Sequence, residues 1–75
     1  MTKFRIGDLL VLNINKAQPA EFLGRDPRNG IIISIDRERI GIRWTCYNGS
    51  RFKNHYTWHH LEQMIDRKTI EWYPV

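Results

Sequence analysis

Phe4-Arg5-Ile6-Gly7-Asp8-Leu9-Leu10-Val11-Leu12 is answered some twenty residues later by Gly30-Ile31-Ile32-Ile33-Ser34-Ile35, and then by Ile40-Gly41-Ile42-Arg43-Trp44. A Gly-Asp turn feeds an apolar strand. A long loop follows, then two strands joined by the polar turn Asp36-Arg37-Glu38-Arg39, an order that signals a small twisted barrel. The first strand is expected over residues 8–14. With a period of two, Leu10, Leu12 and Ile14 share one face while Leu9 and Val11 share the other. Both faces are apolar, so the second is expected to be covered by another element or by a neighbouring chain.

Working outward, strands are expected over residues 31–35 and 40–46, with Ile40, Ile42 and Trp44 facing the core. Tyr47-Asn48-Gly49 is the sharpest turn signal in the chain, and two geometries compete there. A two-residue Asn48-Gly49 turn sets Lys53 against Trp44 and His55 against Ile42, which puts a cation and an imidazole on the core face. A three-residue loop with Gly49 in the left-handed conformation instead sets Phe52 against Trp44, Asn54 against Ile42 and Tyr56 against Ile40. The second register gathers the aromatics in the core and is the one expected. It requires a partner for the core-facing amide of Asn54.

Residues 15–29 read as a long loop broken by Pro19, Gly24 and Asp26-Pro27. Phe22-Leu23 is expected to pin it to the barrel rim and leave Lys16, Arg25 and Arg28 in water. Residues 57–65 read as one or two helical turns, with Thr57 as the cap and Leu61, Met64 and Ile65 at helical spacing. A turn at Asp66-Arg67-Lys68 leads to a last short strand in which Ile70 and Trp72 alternate with Glu71 and Tyr73, and Pro74 stops further pairing. The expectation is one all-β domain over residues 1–75: a small five-stranded barrel with one short helical turn.

A chain of 75 residues buries only about 60% of the surface its unfolded form exposes. The single Cys46 excludes an internal disulfide, so large apolar residues and a second subunit are the expected sources of stability. A symmetric homodimer meeting through the first strand and the two tryptophans at 58 and 72 is expected on that ground. No segment approaches a membrane span and the opening residues lack a signal-peptide run, so the expected location is the cytoplasm, with no membrane partner. Twelve Lys and Arg against eight Asp and Glu give a net charge of +4, which favours anionic partners without requiring one.

Phe4-x-Ile6-Gly7-Asp8-x-Leu10, Gly30-x-Ile32-x-x-Ile35, Ile42-x-Trp44, and Tyr56 followed by Leu61 together resemble the SH3-like small barrels, above all the Tudor and KOW kinds and the small barrels of bacteria and their phages. The resemblance spans roughly residues 4–65 and concerns packing and turns, so it implies a fold rather than a ligand. The Ala-Leu-Tyr-Asp-Tyr segment and acidic loop of proline-binding SH3 domains are absent. The aromatics are largely committed to the core, which leaves no cage of four for a methylated side chain.

Neither a metal centre nor an enzyme is expected. Cys46 has no Cys-x-x-Cys partner, His55 and His59 would share a helix face only if the helix began well before Thr57, and adjacent His59 and His60 point apart. No nucleophile, base and orienting group can be assembled, because Asp8, Asp36, Glu38 and Asp66 all belong to turns. No cofactor follows from these residues. The strongest constellation is the outward face of the third and fourth strands. There the expected register opposes Arg43 to Lys53 and Thr45 to Arg51, with His55 nearby. Like charges side by side become favourable against phosphates, and Tyr47 is positioned to stack on a base, with Arg25 and Arg28 as helpers from the loop. The expected function is therefore a non-enzymatic nucleic-acid-binding module. The alternative is a protein-interaction or assembly module that docks through Leu9, Val11, Trp58 and Trp72.

Overall fold

A computed structural model of the chain describes residues 3–13, 15–16 and 22–75. Five antiparallel strands, β1 (Leu9–Leu12), β2 (Pro27–Ile35), β3 (Arg39–Cys46), β4 (Arg51–Thr57) and β5 (Ile70–Tyr73), and one helix, α1 (Trp58–Asp66), follow one another with α1 between β4 and β5. They form one sheet in the order β4-β3-β2-β1-β5, so β4 and β5 are its edges. Helix α1 packs against both edge strands. It buries Leu61 and Met64 as the 3.6-residue period requires.

The β3–β4 hairpin adopts the three-residue loop. Gly49 has φ +87°, its N–H donates to the Cys46 carbonyl at 3.0 Å, and the Cys46 N–H donates to Ser50 at 2.8 Å. Trp44 then opposes Phe52, Ile42 opposes Asn54 and Ile40 opposes Tyr56. The core-facing amide of Asn54 has its partner: its Nδ2 donates to the Tyr56 hydroxyl at 3.1 Å, and the indole N–H of Trp44 donates to the same oxygen at 3.1 Å. Across β2, Trp44 faces Gly30. A Cβ at Gly30 would lie 2.6 Å from the Trp44 ring and 2.7 Å from Ile42, so the indole fits against the sheet only because residue 30 has no side chain.

Three expectations need correction. The first strand is shorter than residues 8–14, ending at Leu12, and Ile14 lies outside the described residues. The loop after it is shorter too, because β2 begins at Pro27 opposite Cys46, with a register shift before Asn29; a strand's first residue at a bulge is where proline is tolerated. Finally, Phe22-Leu23 does not pin the loop at the rim as a pair. Phe22 is fully buried on the opposite side of the sheet from Leu9 and Val11, edge-on to Trp44 with centroids 5.3 Å apart, while Leu23 is exposed. An aromatic loses more water-exposed area among Trp44 and Tyr56 than on a convex surface.

The turn at Gly7-Asp8 ties the start of β1 to β2 and β5. Gly7 has φ +97°, its N–H donates to Ile32 at 2.8 Å, and the Ile32 N–H donates back to the Asp8 carbonyl at 3.0 Å. The buried Asp8 carboxylate accepts from Arg5 N at 2.9 Å, from Trp72 Nε1 at 2.9 Å and from Val75 N at 3.0 Å. It thus binds the residues before β1 to those in and after β5.

Helix α1 is capped at both ends. Thr57 accepts from the His60 N–H at 3.1 Å, as expected of a cap threonine. At the other end the Thr69 N–H donates to Met64 and the Lys68 N–H to Ile65, the paired bonds of a Schellman motif. Lys68 occupies the left-handed position at φ 65°, a conformation that costs a residue with a Cβ about 1 kcal/mol. Lys68→Gly is accordingly expected to raise stability by roughly 0.5–1 kcal/mol. The check is a higher urea midpoint with an unchanged slope.

Candidate nucleic-acid interface

Alternation along five registered strands sorts the outward side chains into rows. One row runs Tyr73, Leu9, Ile31, Arg43, Lys53 from β5 to β4, and the next runs Glu71, Val11, Asn29, Thr45, Arg51. A third sets Ser34 beside Gly41 and Gly41 beside His55. Gly41 has no room for a Cβ, which would meet Ser34 Oγ and the His55 ring, so these two side chains close over it.

Arg43, Arg51, Lys53 and His55 are exposed together on this face. Directly opposed side chains have Cβ atoms about 5 Å apart, and residues two apart on a strand are separated by about 6.7 Å, so the four cationic or titratable groups form one cluster. None of the register neighbours of Arg43, Lys53 or Arg51 is acidic. Glu71 lies in the Arg51 row but at the far edge of the sheet, four strand spacings or about 19 Å away, and its carboxylate accepts the Tyr73 hydroxyl. That hydrogen bond and the charge of Glu71 raise the Tyr73 phenol above its ordinary value, so the ring remains neutral at physiological pH.

Arg25 and Tyr47 lie apart from that cluster, at the end of the same hairpin. With Asp26, Cys46, Asn48 and Ser50 they line a groove of about 340 Å³. The Arg25 guanidinium sits 5.1 Å from the centroid of Phe52, whose ring is half-buried rather than enclosed with Trp44 and Tyr56. Arg28 is exposed at the register shift of β2, which the Thr45–Cys46 end of β3 faces.

The residues singled out for protein docking do not share a surface. Leu9 and Val11 point outward, but Trp72 opposes the buried Leu10 and therefore faces the inner side. There it packs edge-on to Phe4 at 5.0 Å, with the Lys3 ammonium over its ring. Trp58 starts α1 and stacks on His59 with centroids 3.5 Å apart. The outward apolar side chains beside Leu9 are instead Ile31 and Tyr73. Leu9 and Ile31 are each 38% exposed and Tyr73 is 50% exposed. Sequence reading missed both neighbours, although the parity of β2 and β5 carried the signal once their register with β1 was known. Arg39, opposite Thr57 on the same outward face, was missed as well, being read as part of a turn.

Cys46 is buried at the end of β3, and among the described residues no three His, Cys, Asp or Glu side chains converge as a metal site would need. No helix among them is long and apolar enough to cross a membrane. No family model, no curated protein and no solved structure matches the chain.

Proposed function

We propose that the protein is a non-enzymatic nucleic-acid-binding module of SH3-like barrel type, acting in the cytoplasm, that holds the phosphate backbone on the outward face of β3 and β4. The observation that carries this reading is the direct opposition of Arg43 and Lys53, with Arg51 in the next row, on an exposed surface where none of their register neighbours among the described residues is acidic. Like charges paired across a sheet cost a few tenths of a kcal/mol when left in water and become favourable against a polyanion. The barrel reading is supported by a meander of four strands whose fifth returns to pair with the first, with α1 lying against both edges.

Fluorescence anisotropy of labelled mixed-sequence oligonucleotides at two salt concentrations tests it. Three phosphate contacts predict that log K falls against log salt with a slope of about −2 to −3. The variant Arg43→Gln/Arg51→Gln/Lys53→Gln is expected to lose at least roughly tenfold in affinity at low salt and most of that slope. Binding that ignores both salt and the triple substitution would remove the basic face from consideration. A second reading, docking of a second copy of the chain, is favoured by the exposed row of Leu9, Ile31 and Tyr73, and a dimer mass in sedimentation equilibrium would support it.

A further inference from the structure

The outward face is chemically divided, and the division runs along the strands. Within the registered rows its cations stand on β3 and β4, with Arg28 exposed at the β2 register shift beside the Thr45–Cys46 end of β3, whereas β1, β2 and β5 contribute Leu9, Ile31 and Tyr73 in a single row, with Val11 half-buried in the next. The boundary falls between Ile31 and Arg43, directly opposed across one strand spacing. A duplex presents phosphates and sugars along its outer surface and would set charged groups against this apolar half. A single strand has a phosphate side and a base side, and so matches a surface with a cationic side and an apolar side.

Resting on the nucleic-acid reading above, we propose that the ligand is single-stranded and lies along the strands, its phosphates over Arg43, Lys53 and Arg51 and its bases over Ile31, Leu9 and Tyr73. Two further features orient it. Glu71 places a carboxylate on the apolar side, beside Val11 and bonded to the Tyr73 hydroxyl, which repels phosphates from that half. A carboxylate there also accepts from base amino groups such as N4 of cytosine. Tyr73 is the aromatic of the outward rows, and its neutral ring is the stacking platform.

The test compares a labelled 12-nucleotide single strand of mixed sequence, as DNA and as RNA, with the corresponding 12-base-pair duplex, by anisotropy at low salt. The single strand is expected to bind at least roughly tenfold more tightly than the duplex. Tyr73→Ala is expected to weaken single-strand binding by about five- to hundredfold while changing duplex binding by less than about twofold. Tyr73→Phe, which keeps the ring and loses the Glu71 bond, retains binding. Ile31→Thr, a substitution that keeps strand propensity, weakens the single strand in the same direction, and the circular-dichroism melting curve of each variant verifies its fold.

Equal affinity for strand and duplex, or single-strand binding that survives Tyr73→Ala and Ile31→Thr but not Lys53→Gln, overturns the base platform and leaves the basic-face reading standing. Failure of both ligands to bind at low salt overturns both. If the apolar substitutions convert a dimer to a monomer without changing oligonucleotide affinity, that half of the face belongs to a second copy and the proposal falls.

Discussion

Replacing Asp8 by asparagine is expected to destabilise the domain by about 2–4 kcal/mol at neutral pH and to flatten the acid limb of its stability curve. The carboxylate is fully buried and accepts three N–H donors, two on Oδ2 and one on Oδ1. Asparagine keeps one acceptor oxygen and turns an amide N–H₂ toward at least one of those donors, leaving a buried N–H unsatisfied. Hydrogen bonds to a charged acceptor contribute about 1.5–3 kcal/mol each, and a chain of this size has only roughly 4–11 kcal/mol in total. The loss is therefore a large fraction of what holds the fold. It also separates the ends of the chain, since Trp72 and Val75 are joined to the Gly7-Asp8 turn through this side chain.

The pH dependence has a definite sign. Burial alone pushes the Asp8 carboxyl up, but the N–H groups of Val75, Trp72 and Arg5, with the Arg5 guanidinium, outweigh it and hold the group below its ordinary value of 3.8. A carboxylate that is more acidic in the folded state contributes stability above its unfolded value. That contribution is lost as pH falls through the folded value. Urea midpoints followed by tryptophan fluorescence should thus fall for the native chain below about pH 4. Asp8→Asn should begin lower at pH 7 and change less over the same interval. Parallel curves for the two proteins would show that Asp8 is not the group responsible.

Phe22→Ala is expected to cost about 3–5 kcal/mol, the usual range for emptying a phenylalanine site in a core. Phe22 lies in a 3-10 turn outside the sheet and α1, yet its ring is buried between Trp44 at 5.3 Å and Tyr56 at 6.5 Å. Those two rings also share the hydroxyl hydrogen bond that satisfies Asn54. The cavity would open beside that hydrogen-bond network, so the near-ultraviolet circular dichroism of the aromatic cluster should weaken along with stability. Phe22→Leu, which keeps most of the volume, should lose much less, within about 1.5 kcal/mol. A truncation that costs under 1 kcal/mol would mean that the residue is dispensable to the core.

What the sequence alone determined is local. Alternation in residues 31–46, the Tyr47-Asn48-Gly49 loop and the capping threonine at 57 were legible because each rests on neighbours a few positions away. A one-residue slip in the β3–β4 hairpin would have buried Lys53 with Trp44, and that penalty is visible in the residues themselves. Hence the pairing of Arg43 with Lys53 and of Thr45 with Arg51 followed directly.

Tertiary structure decided the rest, where partners are remote or where an aromatic can serve either side of a sheet. Nothing near Asp8 in the chain reveals that Trp72 and Val75, 64 and 67 positions away, supply two of its donors. Trp72 and Tyr73 are adjacent and both aromatic, and only the pairing of β5 with β1 sends the first inward beside Leu10 and the second outward beside Leu9. The same pairing, repeated across β2, builds the apolar row next to the cations. The division of the outward face is thus a property of strand order and register, because neighbours on a sheet surface come from different strands, and which strands are neighbours is settled only when the chain has folded.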